Sequence, residues 1–383
     1  MGCNGSKPIA FNENYCRDIT PNDVTLTEEK VTCGTAQIHV SIWKPKAVNN
    51  PKGLVVCLHG ILDHGLKHMR FAHALCKKGY IVVAPDYPYH GQTIIADKTA
   101  SKGYIKDGES IITSTMDCVT QLKNRYKLDT TIGFAHSMGG VVALNLLRVN
   151  NNIFDALLTT GPGLVPGPAA SSPFGIECLF PIARLSCTMD CVLPCMSALD
   201  PSGPLAPIKF DGIVSHPLGQ EELRRDPYRG HVWINNKTGY EFRKLQIKAL
   251  DYLSNLNKPF IVMFGRDDRI CLCEGGQKMI DLSQTPAKHK RFELIDGKHD
   301  VLCEPGSNTK TSTTSEMEAM SDTVNVTEKL KDYSFPAVEA CANAVDELVL
   351  WVKQGSAAAA ASSSSPTGSD TTSTDMVTVD VDK

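Results

Sequence analysis

A mostly parallel α/β sheet, covered by helices on both sides and interrupted by a helical cap, is the fold class that the sequence predicts. Three observations point to it. Short apolar runs alternate with helical segments over residues 53–160 and again over 258–354. Between Gly161 and about Asn257 the alternation stops, and the chain is first rich in Pro and Gly and then helical. One apolar run, "TTIGFA" (130–135), leads directly into "HSMGG", a serine placed between a strand and a helix.

The elements follow in order. Residues 24–44 alternate as a starting hairpin with Cys33-Gly34 in its turn. "GLVVCL" (53–58) reads as a buried strand, "LKHMRFAHALCKKGY" as a helix and "IVVAPD" (81–86) as the next strand. A helix over roughly 108–125 leads to "TTIGFA", the helix "MGGVVALNLLRV" and the strand "FDALLTT" (154–160). Beyond the insertion, "PFIVMF" (259–264), a helix from about 274, "KRFELI" (290–295) and the helix "AVEACANAVDELVLWVKQ" (337–354) resume the pattern. The expected organisation is a flexible segment 1–22, a first core half 23–160, a cap or lid 161–257, and a second core half 258–354. The Ser/Thr/Glu-rich stretch 305–334 is expected to be a mobile loop, and 355–383 a disordered low-complexity tail.

With 383 residues and 42% hydrophobic content the chain has material for a full core. A net charge of −3 supplies no basic field, which argues against nucleic acid as a partner. No apolar run approaches the roughly 20 residues that cross a bilayer. The first thirty residues are polar, so no secretory signal is expected and the fourteen cysteines are expected to be reduced thiols. Cys187, Cys191 and Cys195 share a helical spacing and are expected to form a packed or membrane-facing cap surface. Cys271-Leu272-Cys273 lacks a second ligand pair, so no zinc site is expected. The start "MGCNGSKP" fits M-G-x-x-x-[ST], with Gly2 as the acylated residue and Cys3 as a neighbouring thiol for a second chain. One acyl chain holds a membrane only marginally, so two are expected. They would place a cytoplasmic protein on the inner leaflet as a peripheral membrane protein.

"GFAHSMGG" reads as G-x-S-x-G around Ser137, with Ala135 where the first glycine would stand. That position needs a small residue rather than a positive φ, so one methyl is tolerable. A serine hydroxyl needs a base, and the base an orienting carboxylate. After the insertion only His289 and His299 remain. His289 precedes a strand and so falls at the opposite end of the sheet. His299 follows the strand 290–295 and is the base. The acid should follow the preceding strand, where "FGRDDRI" offers both Asp267 and Asp268. Two backbone donors are needed for an oxyanion: the Met138 N–H after the nucleophile, and the Ile61 N–H in the turn after "GLVVCLHG". No metal or diffusible cofactor is required.

These residues resemble the monoacylglycerol lipase family of α/β-hydrolases, also labelled lysophospholipase-like or serine-aminopeptidase-like, from about residue 30 to 354. "HGILDHGLKHMRFAHALCKKGYIVVAPDYPYHGQT" is similar to the family stretch that runs from HG through a helix and strand to D-x-x-G-H-G-x-S, and "AHSMGG" to its G-H-S-M-G-G. "GRDDRIC" resembles the family's G-x-x-D-R-[LI]-C, which implies Asp268 as the acid, and "GKHDVLCE" the segment carrying the catalytic histidine, His299. "ELRRDPY" resembles a cap segment. The resemblance implies an α/β-hydrolase fold and hydrolysis of monoacylglycerol through an acyl-enzyme on Ser137. Lysophospholipase or acyl-protein thioesterase activity is an alternative, and a non-catalytic membrane scaffold an alternative of another class. Departures from the family are Ala135, Tyr89 for a glycine before His90, and Ile61 where a smaller residue is common, which would narrow the acyl entrance.

Overall fold

Eight strands form one twisted sheet in the computed structural model, which describes residues 20–93, 95, 101–167, 186–230, 233–306, 330 and 333–363. They are β1 (Val24–Cys33), β2 (Ala36–Pro45), β3 (Leu54–Leu58), β4 (Ile81–Pro85), β5 (Thr131–His136), β6 (Ala156–Thr160), β9 (Phe260–Gly265) and β10 (Lys290–Ile295). Across the sheet the order is β1-β2-β4-β3-β5-β6-β9-β10. The β1–β2 and β2–β4 pairs are antiparallel and every later pair is parallel. The five strands β3, β4, β5, β6 and β9 are buried at every position, as parallel strands covered on both faces must be.

Two apolar layers explain which helices lie where. On one face, α2 (Gly108–Tyr126), α3 (Met138–Val149) and α8 (Glu274–Leu282) bury Ile111, Val119, Val142, Leu146 and Met279 against Val56, Val83 and Phe264. Asp107 caps α2 by accepting the Glu109 and Ser110 N–H groups at 3.2 Å each. On the other face, α1 (Met69–Lys77) and α9 (Pro336–Ser363) bury Phe71, Leu75, Val345 and Leu348 against Val82, Phe134 and Ile261. The sheet's carboxyl ends therefore project beyond two covered faces, and that rim is where connecting loops can carry chemistry.

Between β6 and β9 the described chain forms α4 (Ser186–Leu199), β7 (Pro204–Pro207), α5 (Phe210–Ile213), α6 (Pro217–Arg225), β8 (Trp233–Asn235) and α7 (Asn236–Tyr252). β7 and β8 pair with each other and not with the main sheet. Two boundaries differ from the sequence reading. Helix α7, assigned to a cap ending at 257, sinks Leu245, Ala249 and Tyr252 into the main core, and its Leu245 carbonyl accepts from Asn145 Nδ2 of α3 at 2.9 Å. Its apolar stripe was visible in the sequence, but which layer it would cover was not. Helix α9 also runs past the tail boundary at 355 to Ser363, because the alanine run after Gly355 is the best helix-forming material available. Gly2 and Cys3 lie outside the described residues, as do 307–329 of the expected loop and 364–383 of the expected tail. Leu330 packs on Leu218 of α6.

Candidate active site

Ser137 stands in the single residue between β5 and α3, at φ 54° and ψ −119°. A side chain in the positive-φ region is strained, and it persists only where its surroundings over-determine it. Here they do. The Ser137 N–H donates to the Thr160 carbonyl at 3.0 Å, and the Ser137 carbonyl accepts from both Gly140 and Gly163 N–H at 2.9 Å. A Cβ on Gly139 would stand 2.2 Å from the Leu58 carbonyl oxygen, so only glycine lets α3 start this close to β3. Ala135 is fully buried in the apolar core below the turn, which accommodates its methyl.

His299 closes on this serine, with Nε2 2.8 Å from Ser137 Oγ and Nδ1 2.8 Å from Asp268 Oδ2. The carboxylate accepts, so Nδ1 carries the proton and Nε2 is left to accept from the hydroxyl. Asp268 is held in turn: its Oδ1 accepts from the Ile270 and Cys271 N–H groups at 2.9 Å each. Asp267, equally placed by spacing, is exposed, and its N–H donates to the Gly297 carbonyl. The fold thus separates two adjacent aspartates by one turn of the loop. His289 lies in a short 3-10 turn ahead of β10, beside the Trp351 ring at 5.9 Å, far from Ser137 along the strand direction.

Two neighbours of this group carried no signal in the sequence reading. Gly161, at φ 50°, leaves no room for a side chain: a Cβ there would meet Asp268 Oδ2 at 3.1 Å and His299 Nδ1 at 3.2 Å. Its only trace is its place directly after a strand. Buried Cys271 lies against the Ser137 hydroxyl, and burial pushes its thiol well above the ordinary range.

The turn after β3 is set by His59. Its Nδ1 donates to the Gly60 carbonyl at 2.8 Å and its Nε2 accepts the Tyr87 N–H at 3.1 Å, which defines the tautomer. Burial lowers its pKa to about 3, so it is a neutral strut. Gly60 backs onto the nucleophile, since a Cβ there would be 3.3 Å from Ser137 Cβ. Ile61 follows, half-buried, and Met138 opens α3 with one of the helix's initial N–H donors. Both residues therefore stand beside Ser137. His136 is likewise a packed group: burial lowers it to about 4, Nδ1 sits 3.1 Å from Thr160 Oγ1, and its ring lies 4.9 Å from that of His299. At the Tyr89 departure the backbone keeps φ 66°, the conformation that suits glycine.

Residues 49–306 match the serine aminopeptidase S33 family, two thirds of the chain. The chain belongs to this family of α/β-hydrolases. It is a serine hydrolase. The human monoglyceride lipase is 21% identical over 260 residues, covering 68% of this chain and 78% of that protein. The monoacylglycerol lipase of Mycolicibacterium smegmatis is 21% identical over 274 residues, covering 71% of this chain and 89% of that protein. A solved soluble variant of the Saccharomyces cerevisiae monoglyceride lipase, in complex with a substrate analog, shares the fold at a TM-score of 0.62 and 17% identity, covering 86% of this chain and 95% of that one.

In this hydrolase a buried ionic set lies behind the site. Lys67 pairs with Asp63 and, at 2.5 Å, with Asp300, the residue after His299. Burial opposes the Lys67 charge, but Asp300 and Asp63 overcome it and raise its pKa. Asp63 also faces Arg229 Nη1 at 3.8 Å, and His64 Nε2 contacts Asp226 Oδ2 at 2.7 Å. Ligand atoms of Asp63, His64 and Asp226 lie within 4.8 Å of one another, a spacing a cation can use. Their charges are already matched by Lys67, Arg229 and His64 itself, so the set fits a closed ion-pair network rather than a metal centre.

The insertion is fastened to the His299 loop. Glu304 accepts the Ser215 N–H at 2.7 Å and the Lys298 N–H at 3.1 Å through Oε1, and the His216 N–H at 3.4 Å through Oε2. The Asp300 N–H donates to the Ile213 carbonyl at 2.9 Å, and Lys298 Nζ to the Asp211 carbonyl at 2.6 Å. Between insertion and sheet lies a cavity of about 300 Å³ that includes Ser137 and His299. Ile61, Ala206, Ile208, Ile213, Ile234 and Ile270 form its apolar wall.

Proposed function

We propose that this hydrolase is a lipase for monoacyl lipid esters, converting a monoacylglycerol and water to glycerol and a fatty acid. The observation that carries the reading is a serine hydroxyl 2.8 Å from an aspartate-oriented histidine, opening into a cavity walled by isoleucines. The relatives' names, monoglyceride and monoacylglycerol lipase, support the same substrate. Ser137 Oγ attacks the ester carbonyl while His299 Nε2 takes its proton, and Asp268 stabilises the imidazolium. The Ile61 and Met138 N–H groups carry the oxyanion charge. His299 then protonates the departing alcohol, and water releases the acyl group by the same steps in reverse. The insertion serves as a lid. Exposed Val192, Leu199, Cys191 and Cys195 on α4 support a face turned to the bilayer, with acyl chains on Gly2 and Cys3 holding the protein to the cytoplasmic leaflet.

The test is fatty-acid release by the purified protein from monoacylglycerols, lysophospholipids and acyl-thioesters. Monoacylglycerol turnover is expected, with a loss of at least about 10⁴-fold in kcat for Ser137→Ala. Turnover of thioesters alone replaces the substrate, and failure to take an active-serine label removes the enzyme reading. Gly2→Ala is expected to move the protein from the membrane to the soluble fraction, and unchanged membrane recovery rejects the anchor.

A further inference from the structure

We infer that Lys67 is a positioning residue for the reaction: its ammonium group, buried between Asp63 and Asp300, sets the distance between the turn that carries the Ile61 N–H and the loop that carries His299. Acyl transfer needs oxyanion donors and base held together on one serine. The main sheet does not do this for these two segments. The turn leaves β3 and the His299 loop leaves β10, and β5, β6 and β9 stand between those strands. The backbone ladders therefore reach Ser137 from its two sides without joining the turn to the loop. The insertion bonds them through different segments, with the Gly230 N–H on the Leu62 carbonyl and the Asp300 N–H on the Ile213 carbonyl. Lys67 touches both. Asp63 stands two residues after Ile61, and Asp300, whose Oδ2 lies 2.5 Å from Lys67 Nζ, directly follows His299.

The lysine is rooted where it can hold this span. It belongs to the 3-10 turn Gly65–His68, whose first N–H donates to Asp86 Oδ1 at 2.6 Å. A Cβ on Gly65 would stand 2.4 Å from the Ala84 carbonyl oxygen, so the turn is pressed onto β4. Asp63 Oδ1 accepts the His64 N–H at 3.1 Å, and its Oδ2 accepts from the ammonium. All three side chains are buried, so water and salt screen the attraction little. Burial opposes the charge on both aspartates, and Lys67 overcomes it, joined at Asp63 by Arg229, which holds both carboxyls well below the usual carboxylate range. An ammonium carries three donors on one atom and so bridges carboxylates from two segments, which an uncharged chain of similar length cannot do.

The inference rests on the oxyanion role given to Ile61 and not on the choice of a lipid substrate. Its test therefore uses the full chain and 4-nitrophenyl butyrate, a simple activated ester. Active sites are counted by fluorophosphonate titration, so that a misfolded fraction does not lower kcat. Lys67→Met is expected to lower kcat about 10²-fold with KM within about threefold, and Lys67→Arg to restore at least about tenfold of that loss. Affinity for a trifluoromethyl ketone, whose adduct on Ser137 bears the oxyanion, is expected to fall in step with kcat/KM. Should Lys67→Met not fold, Asp300→Asn is measured the same way, with about a tenfold loss of kcat expected. A lowered Tm with kcat per active site unmoved overturns the proposal and leaves Lys67 a purely structural ion. A raised KM at unchanged kcat overturns it too, making Lys67 a substrate contact on the cavity wall. Absence of monoacylglycerol turnover beside the expected results rejects the lipase reading alone. A wild type that takes neither ester nor fluorophosphonate rejects both.

Discussion

Ser137, Asp268 and His299 follow β5, β9 and β10, strands of six residues each within one continuous run of the sheet. The roof above them comes from β7, α5 and β8, elements of four, four and three residues that lie outside the main sheet and rest on α6, α7 and the loops below. The floor is positioned by main-chain ladders and a buried core, so its geometry is shared with the stability of the whole domain. The roof is held by its packing on α7 and by single bonds to the loops below, among them those of Glu304 and Lys298. Reaction chemistry belongs to the part that cannot move cheaply, and substrate preference to the part that can be rebuilt without unfolding the sheet.

The comparison is sharpest at the adjacent aspartates. Asp268→Asn is expected to lower kcat by about 10⁴-fold, because the orienting acceptor for His299 Nδ1 is lost, while Asp267→Asn stays within about threefold. Equal losses in steady-state assays would dissolve the distinction. Gly161→Ala acts on the floor by crowding the acid and the base rather than the nucleophile. Its methyl would press on Asp268 and His299 from a positive-φ backbone, and about a 10²-fold loss of kcat with a lowered Tm is expected. Wild-type kinetics there would show that the floor yields more than its ladders suggest.

The hinge between floor and roof is Glu304. Glu304→Gln turns an amide NH₂ toward backbone donors, and about a tenfold loss of kcat is expected with about 1–3 kcal/mol of stability. A loss of Tm without a loss of kcat would mean that roof and floor are not coupled through this residue.

The smallest effect is on pH stability and belongs to the floor. Burial lowers His59 and His68 to about 3 and His136 to about 4, below the unfolded value. The unfolded chain then binds more protons, so stability is full above about 6.5 and falls as pH drops toward those values. About 1 kcal/mol per histidine is expected to be lost at pH 5.5, read as a falling Tm, and His136→Gln should flatten that slope. A Tm unchanged from pH 7 to 5.5 would contradict neutral burial of these rings.

Much of the floor was legible because it is local. The alternation of apolar runs marks the strands, and the strand-to-helix serine and the histidine after β10 are each defined by one segment. Where two segments had to meet, legibility failed. The cap boundary was misplaced because the apolar stripe of α7 does not say whether it covers a lid or α3. The roles of Gly161, Lys67 and Glu304 were invisible because each depends on a partner from another part of the chain.

By itself the sequence determined the α/β class, the strand-borne serine and the order in which base and acid would follow, since hydrophobic period and turn chemistry act over a few residues. Spacing left Asp267 and Asp268 open until the family resemblance chose Asp268; only the tertiary structure showed why, fastened the insertion to the His299 loop and left Arg229 lining the same cavity as the nucleophile. Those choices turn on side-chain distances across 31 to more than 80 residues of chain, which no local pattern encodes.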